Sequence, residues 1–165
     1  MENNMQQLTP TKFIQTLTII YSALLIGLLL FIGFVLFQFS DGMIPELDTN
    51  DTLLFIYPVI AIAAIYGSQA IFKKLVASAE KKPDLKSKLV SYQIASIIKF
   101  GLIEGSICIG IVLSLITGNT AYIAIAGVLI VYFLMQRPTR TKIESDLNLH
   151  GELRNQFQRY DEVID

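Results

Sequence analysis

The sequence predicts an all-α integral membrane protein, a four-helix bundle with both termini cytoplasmic (N-in/C-in). A helical hairpin extends into the cytoplasm, and a helical cytoplasmic tail follows the last span. Three observations carry this fold class. The 165 residues are 53% hydrophobic and only 16% charged, against about 25% charged in soluble domains. The charges are clustered, leaving apolar segments at Phe13–Phe39, Leu53–Phe72, Leu89–Ile116 and Ala121–Met135, where about 20 helical residues cross a hydrocarbon core of ~30 Å. In a four-span arrangement all 13 Lys and Arg fall on one side, which the positive-inside rule makes cytoplasmic. Residues 1–136 then form the membrane domain and 137–165 the tail.

Thr9-Pro10 reads as a helix start, with Thr9 as N-cap and Pro10 at the first helical position. The apolar run that follows is about twice the length of a signal-peptide core, has one basic residue ahead of it (Lys12) and lacks a small-residue cleavage site. It is expected to be a retained first span. The connection SDGMIPELDTND carries four acids and no base. Asp41-Gly42 and Pro45 break the helix there, and Asp51 is placed to cap span two. Pro58 inside span two predicts a kink.

Span two is expected to continue past the membrane, because FKKLVASAEKK has helical composition and no breaker until Pro83. Helices two and three would each be about 30 residues, or ~45 Å, exceeding the core by ~15 Å. Their tip carries Lys73, Lys74, Lys81, Lys82, Lys86 and Lys88. Two readings of these lysines are open: a solvated, membrane-flanking face, or a docking surface for an acidic protein partner or anionic lipid headgroups. The turn Thr117–Asn119 is short enough to make spans three and four antiparallel neighbours. Arg137-Pro138 ends the membrane part, and Thr141-Lys142-Ile143-Glu144 fits a capping box. Leu153, Phe157, Tyr160 and Ile164 recur at helical spacing, so the tail is expected to end in an amphipathic helix.

Few residues offer chemistry. One cysteine, Cys108, and one histidine, His150, give neither a disulfide nor a metal site. No nucleophile–base pair, phosphate loop or zinc motif can be assembled, so neither an enzyme nor a cofactor nor nucleic-acid binding is expected. The acids Glu46, Asp48 and Asp51 suit either a solvated capped loop or a divalent cation. Small residues recur every four positions: Gly101 and Gly105, then Ser106, Gly110 and Ser114 in span three; Ala63 and Gly67, and Ala64 and Ser68, in span two; Ala23 and Gly27 in span one. Such spacing lets helix backbones approach, either within one bundle or between copies in a homo-oligomer.

Glu104 stands apart. Counted from Ile116, it lies ~10 Å inside the cytoplasmic edge of the core and ~18 Å from the other. Lys99, closer to that edge, can snorkel out, but five residues amount to about 140° around the helix, so the two face different ways. A charged carboxylate at that depth costs a few kcal/mol. Three states are open to it: protonated, hydrogen-bonded to other spans, or facing a water-filled crevice. By depth, the candidate partners are Tyr21, Ser22, Tyr66 and Gln69.

The hairpin, about residues 61–116, resembles the rotor-ring proteolipid, the c subunit of rotary ATPases. The residues that carry the resemblance are a small-residue helix, the turn Lys82-Pro83-Asp84, and a second helix with one acid in LIEGSICIGIVL. The resemblance implies that Glu104 binds the transported proton or cation. It covers about a third of the chain, and spans one and four have no counterpart in that family. As a whole the chain is similar to small four-helix proteins of the bacterial inner membrane. Two functions are therefore expected: a non-enzymatic accessory or scaffold subunit working through helix packing and the basic hairpin, or an oligomeric proton- or cation-handling protein using Glu104.

Overall fold

The computed structural model describes residues 8–40, 48–159 and 162–164. These form α1 (Pro10–Ser40), α2 (Leu53–Glu80), α3 (Leu85–Thr117), α4 (Ala121–Leu134), α5 (Arg140–Asp146) and α6 (Gly151–Gln158), with no strand among the described residues. The helices α1, α2 and α3 are long and apolar enough to cross a membrane; α4 is equally apolar but has 14 residues, ~21 Å at 1.5 Å per residue.

Local signals explain most boundaries. Thr9 caps α1, accepting from the Lys12 N–H at 3.2 Å. Asp51 accepts from the Leu53 N–H at 3.0 Å, one residue outside the cap position, which Thr52 occupies. The helix α2 then runs through Pro58 without a break and reaches Glu80. Asp84 caps α3 by accepting from the Ser87 N–H at 2.7 Å, and that bond holds its carboxyl below the usual carboxylate range. At 28 and 33 residues, the hairpin helices have the lengths the sequence predicts. Gly118, at φ 73°, ends α3 in the left-handed conformation that glycine adopts freely.

The tail differs from expectation. Its first cap is Thr139, not Thr141: Thr139 is extended at φ −131° and accepts from the Lys142 N–H at 3.4 Å. The amphipathic helix expected from Leu153 and Phe157 is α6, but it is short and stops at Gln158. Asn148 and Gly151 take positive φ and split the segment into α5 and α6. Phe157 is buried as the apolar spacing implies, but Ile164 lies beyond the helix and donates its N–H to the Leu8 carbonyl at 2.9 Å. Tyr160, Asp41, Gly42, Pro45 and Glu46 lie outside the described residues.

The helix α3 is the axis of the molecule, packing against α1, α2, α4 and α6. Its buried residues recur every three to four positions from Leu85 to Ser114, giving one continuous inward face. The helix α1 meets the bundle along a narrower seam of Phe13, Leu17, Tyr21, Leu28 and Val35. Its other faces, with Leu30 70% and Phe37 62% exposed, present an apolar exterior that suits hydrocarbon better than water.

The small residues of α3 fall on two faces. Ser106, Gly110 and Ser114 are buried, while Gly101 and Gly105 are exposed with nothing within 4 Å of where a Cβ would stand. At Gly110 a Cβ would overlap the hydroxyl end of Tyr57, lying 2.8 Å from Cε1 and closer still to Cζ and the hydroxyl oxygen. Tyr57 is fully buried and its hydroxyl donates to the Ser106 carbonyl at 3.1 Å, so it has nowhere to move. Gly110→Ala is therefore expected to destabilise the protein by roughly 1–3 kcal/mol through overpacking, and Gly105→Ala to leave stability unchanged or slightly raised. Thermal unfolding in detergent, followed by circular dichroism, distinguishes the two; equal melting temperatures would contradict the assignment of faces.

Candidate functional site

Glu104 lies on α3 at the border of the buried face, half-buried, one turn before the half-buried free thiol of Cys108. Among the described residues no hydrogen bond or ion pair reaches its carboxylate. The four side chains at matching depth are placed elsewhere. Tyr21 donates to the carbonyls of Phe133 and Leu134, 3.2 Å each. Gln69 donates to the Tyr132 hydroxyl at 2.7 Å. Tyr66 is 73% exposed, and Ser22 is half-buried on α1 with no bond to Glu104.

The acids at the Gly118 end serve the fold. Asp51 accepts from Leu53 through one oxygen and from the Tyr122 hydroxyl, at 2.5 Å, through the other. Asp48 accepts from the Asn50 N–H at 2.8 Å, and its carbonyl accepts from the Asn119 amide at 2.8 Å. Both Asp51 oxygens are thus engaged, and the described residues contain no cluster of three His, Cys, Asp or Glu that could hold a metal ion.

Of the six hairpin lysines, Lys73, Lys74, Lys81, Lys82 and Lys86 are exposed, and none of them forms an ion pair among the described residues. Lys88 is turned inward, 6% exposed, and donates to the Glu80 carbonyl. It thereby satisfies an orphan acceptor at the end of α2 and complements the negative end of that helix dipole. Lys88 is a tie within the hairpin rather than part of its basic surface.

A cavity with polar lining lies where the chain leaves the apolar bundle. It has a volume of about 400 Å³ and is bounded by α2, α3, the residues after α4, and α5. Its inner wall includes Phe72, Tyr92, Ser96 and Lys99, all buried; its rim includes the exposed Lys73, Met135 and Lys142. Lys99 does not simply reach outward. Its ammonium sits 4.5 Å from the centroid of the Phe72 ring, a cation–π contact that offsets part of its desolvation. Tyr92 packs edge-on against Phe72 at 5.6 Å and donates to the Asp146 carboxylate at 2.8 Å, fixing α5 over the cavity. Lys142 donates to the Met135 carbonyl at 2.8 Å.

This cavity was not legible as a site in the sequence. The signal available was Lys99, a base inside an apolar helix, together with Asp146 in the tail; nothing in the spacing showed that α5 folds back to bring them together.

No protein-family model, curated protein or solved structure matches the chain. The fold therefore defines its class: an all-helical protein with three helices able to span a membrane, and a polar cavity at one end of them.

If Tyr92 anchors the tail, Tyr92→Phe removes a hydrogen bond to a charged acceptor, a loss of about 1.5–3 kcal/mol. Amide exchange across residues 140–158 should then rise at least tenfold while exchange in α3 near Ser114 stays unchanged. Unaltered exchange in the tail would show that the Tyr92–Asp146 bond does not hold it.

Proposed function

We propose that this chain is a four-span membrane protein, with both termini and the hairpin on the cytoplasmic side, that acts as a non-enzymatic accessory or scaffold subunit. The observation that carries this reading is the cluster of exposed lysines at the hairpin tip, which outnumbers the acids Glu80 and Asp84 there and forms no ion pair among the described residues. Supporting it, the Ile164 N–H donates to the Leu8 carbonyl, so these two segments lie at the same end of the bundle, as they do after an even number of crossings. The open Gly101/Gly105 face supports self-association or packing against another membrane helix. The hairpin tip would meet an acidic surface of a protein partner beyond the headgroups, because helices of 28 and 33 residues outreach a core of ~30 Å.

Charge reversal tests this. Extracted gently from native membranes, the wild-type chain should run in a complex larger than itself, and Lys81→Glu/Lys82→Glu/Lys86→Glu should release it. High salt should do the same, since exposed pairs are screened. A wild-type chain that extracts alone, or a complex indifferent to the three substitutions, would sink the scaffold reading.

A second reading rests on Glu104, a carboxylate in mid-helix without a bonded partner. The resemblance of residues 61–116 to the c subunit supports proton or cation binding there, in an oligomer. Hydrophobic carbodiimides react with protonated carboxyls in apolar surroundings. Selective modification of Glu104 near neutral pH, suppressed by sodium or by raised pH, is the expected result. Failure to label Glu104 while tail acids show background reaction would remove this reading.

A further inference from the structure

We propose that the cavity between α2, α3, α5 and the end of α4 is a binding site for a phosphate-bearing anion. Charge comes first. Lys73, Lys99 and Lys142 line it against the single acid Asp146, which leaves two positive formal charges. The C-terminus of α4 also faces this region and contributes about half a negative charge, too little to reverse the sign. Asp146 is in addition occupied by the Tyr92 hydroxyl.

Unmet hydrogen-bonding capacity comes second. Lys99 is 9% exposed, and its contact is the Phe72 ring; no protein oxygen accepts from its ammonium among the described residues. Lys73 at the rim forms no hydrogen bond or ion pair either. A cation–π contact compensates an ammonium only partly for lost water, and three N–H donors remain to be satisfied. A phosphate, with several acceptor oxygens and one or two charges, meets these donors as point contacts, the way lysine binds phosphate elsewhere.

Size and position come third. About 400 Å³ exceeds what an isolated carboxylate or halide fills and falls within the range of small-molecule sites. The mouth borders both the polar tail and an apolar helix surface, with Met135 69% exposed at the rim. Two sources share the required chemistry: the headgroup of an anionic phospholipid entering from the bilayer surface, and a soluble phosphate ester entering from water. The inference does not depend on the scaffold reading: of the hairpin lysines it uses Lys73 alone, and Lys81, Lys82 and Lys86, on which the scaffold test acts, do not line the cavity.

The test uses the full chain reconstituted in phosphatidylcholine discs. One arm adds phosphatidylglycerol to the discs and reads its retention by native mass spectrometry; the other adds inorganic phosphate at matched ionic strength and reads the phosphorus resonance by NMR. Binding in the first arm identifies the lipid source, and binding in the second the soluble source. In either, Lys99→Met should weaken binding at least about tenfold, and Lys142→Gln, on the exposed rim, should weaken it severalfold. Lys81→Gln/Lys82→Gln at the hairpin tip should leave it unchanged. Circular dichroism checks that Lys99→Met is folded, and the rim variant decides the matter if it is not. Binding in neither arm, or binding that the tip variant reduces and the cavity variants do not, would overturn the proposal.

Discussion

The seat of Tyr57 on the backbone of α3 at Gly110 is the contact on which the arrangement of helices depends. In hydrocarbon, apolar side chains gain little by leaving lipid for one another, so association relies on close packing and on hydrogen bonds that lipid cannot supply. Gly110 provides the space, and the Ser106 carbonyl provides the acceptor at 3.1 Å. Because the ring is fully buried, it fixes both the separation of α2 from α3 and their register. Tyr122 packs beside it at 5.8 Å and bonds Asp51, so the same cluster holds the start of α4 and the loop before α2.

The other end is closed by a matching set of aromatic side chains. Tyr21, Phe100 and Phe133 bring α1, α3 and α4 together, with ring centroids 5.1–5.8 Å apart. The Tyr21 hydroxyl and the Lys142 ammonium satisfy carbonyls at the end of α4. That is how a 14-residue helix can stop within the bundle without leaving its last acceptors bare. Where α4 stops, the polar cavity begins, and α5 and α6 fold back to wall it. The cavity is thus a consequence of a short fourth helix beside two long ones.

Much of this was legible in the sequence, where the signals are local. The long apolar runs, Thr9-Pro10, the turn at Pro83 and the unbroken composition of Phe72–Lys82 anticipate α1, α2, α3 and the hairpin length. The tail was read in part: Leu153 and Phe157 lie on α6 as their spacing implies, but the helix stops at Gln158 before Ile164, and positive φ at Asn148 and Gly151 separates it from α5. A residue's capacity for positive φ does not show whether the fold will use it. Side-chain partners were the least legible. Depth counting placed Tyr21 and Gln69 beside Glu104, but depth fixes height and not azimuth. The helices are rotated so that both bond to residues at the end of α4. The small-residue stripe of α3 looked uniform, and only packing separated Gly110, pressed against Tyr57, from Gly101 and Gly105 on the open side.

In the proposed four-span topology α4, though short, completes a fourth crossing, so that the hairpin tip and the tail share one side of the membrane and the Gly118 turn lies on the other. Thiol accessibility tests it directly. On a Cys108→Ala background, Lys82→Cys, Thr117→Cys and His150→Cys each place one thiol at an exposed position. A membrane-impermeant maleimide applied to intact cells should label the 117 position alone, and the 82 and 150 positions only after lysis. Labelling of the 150 position together with that at 117 would mean that α4 does not return, and would contradict the account.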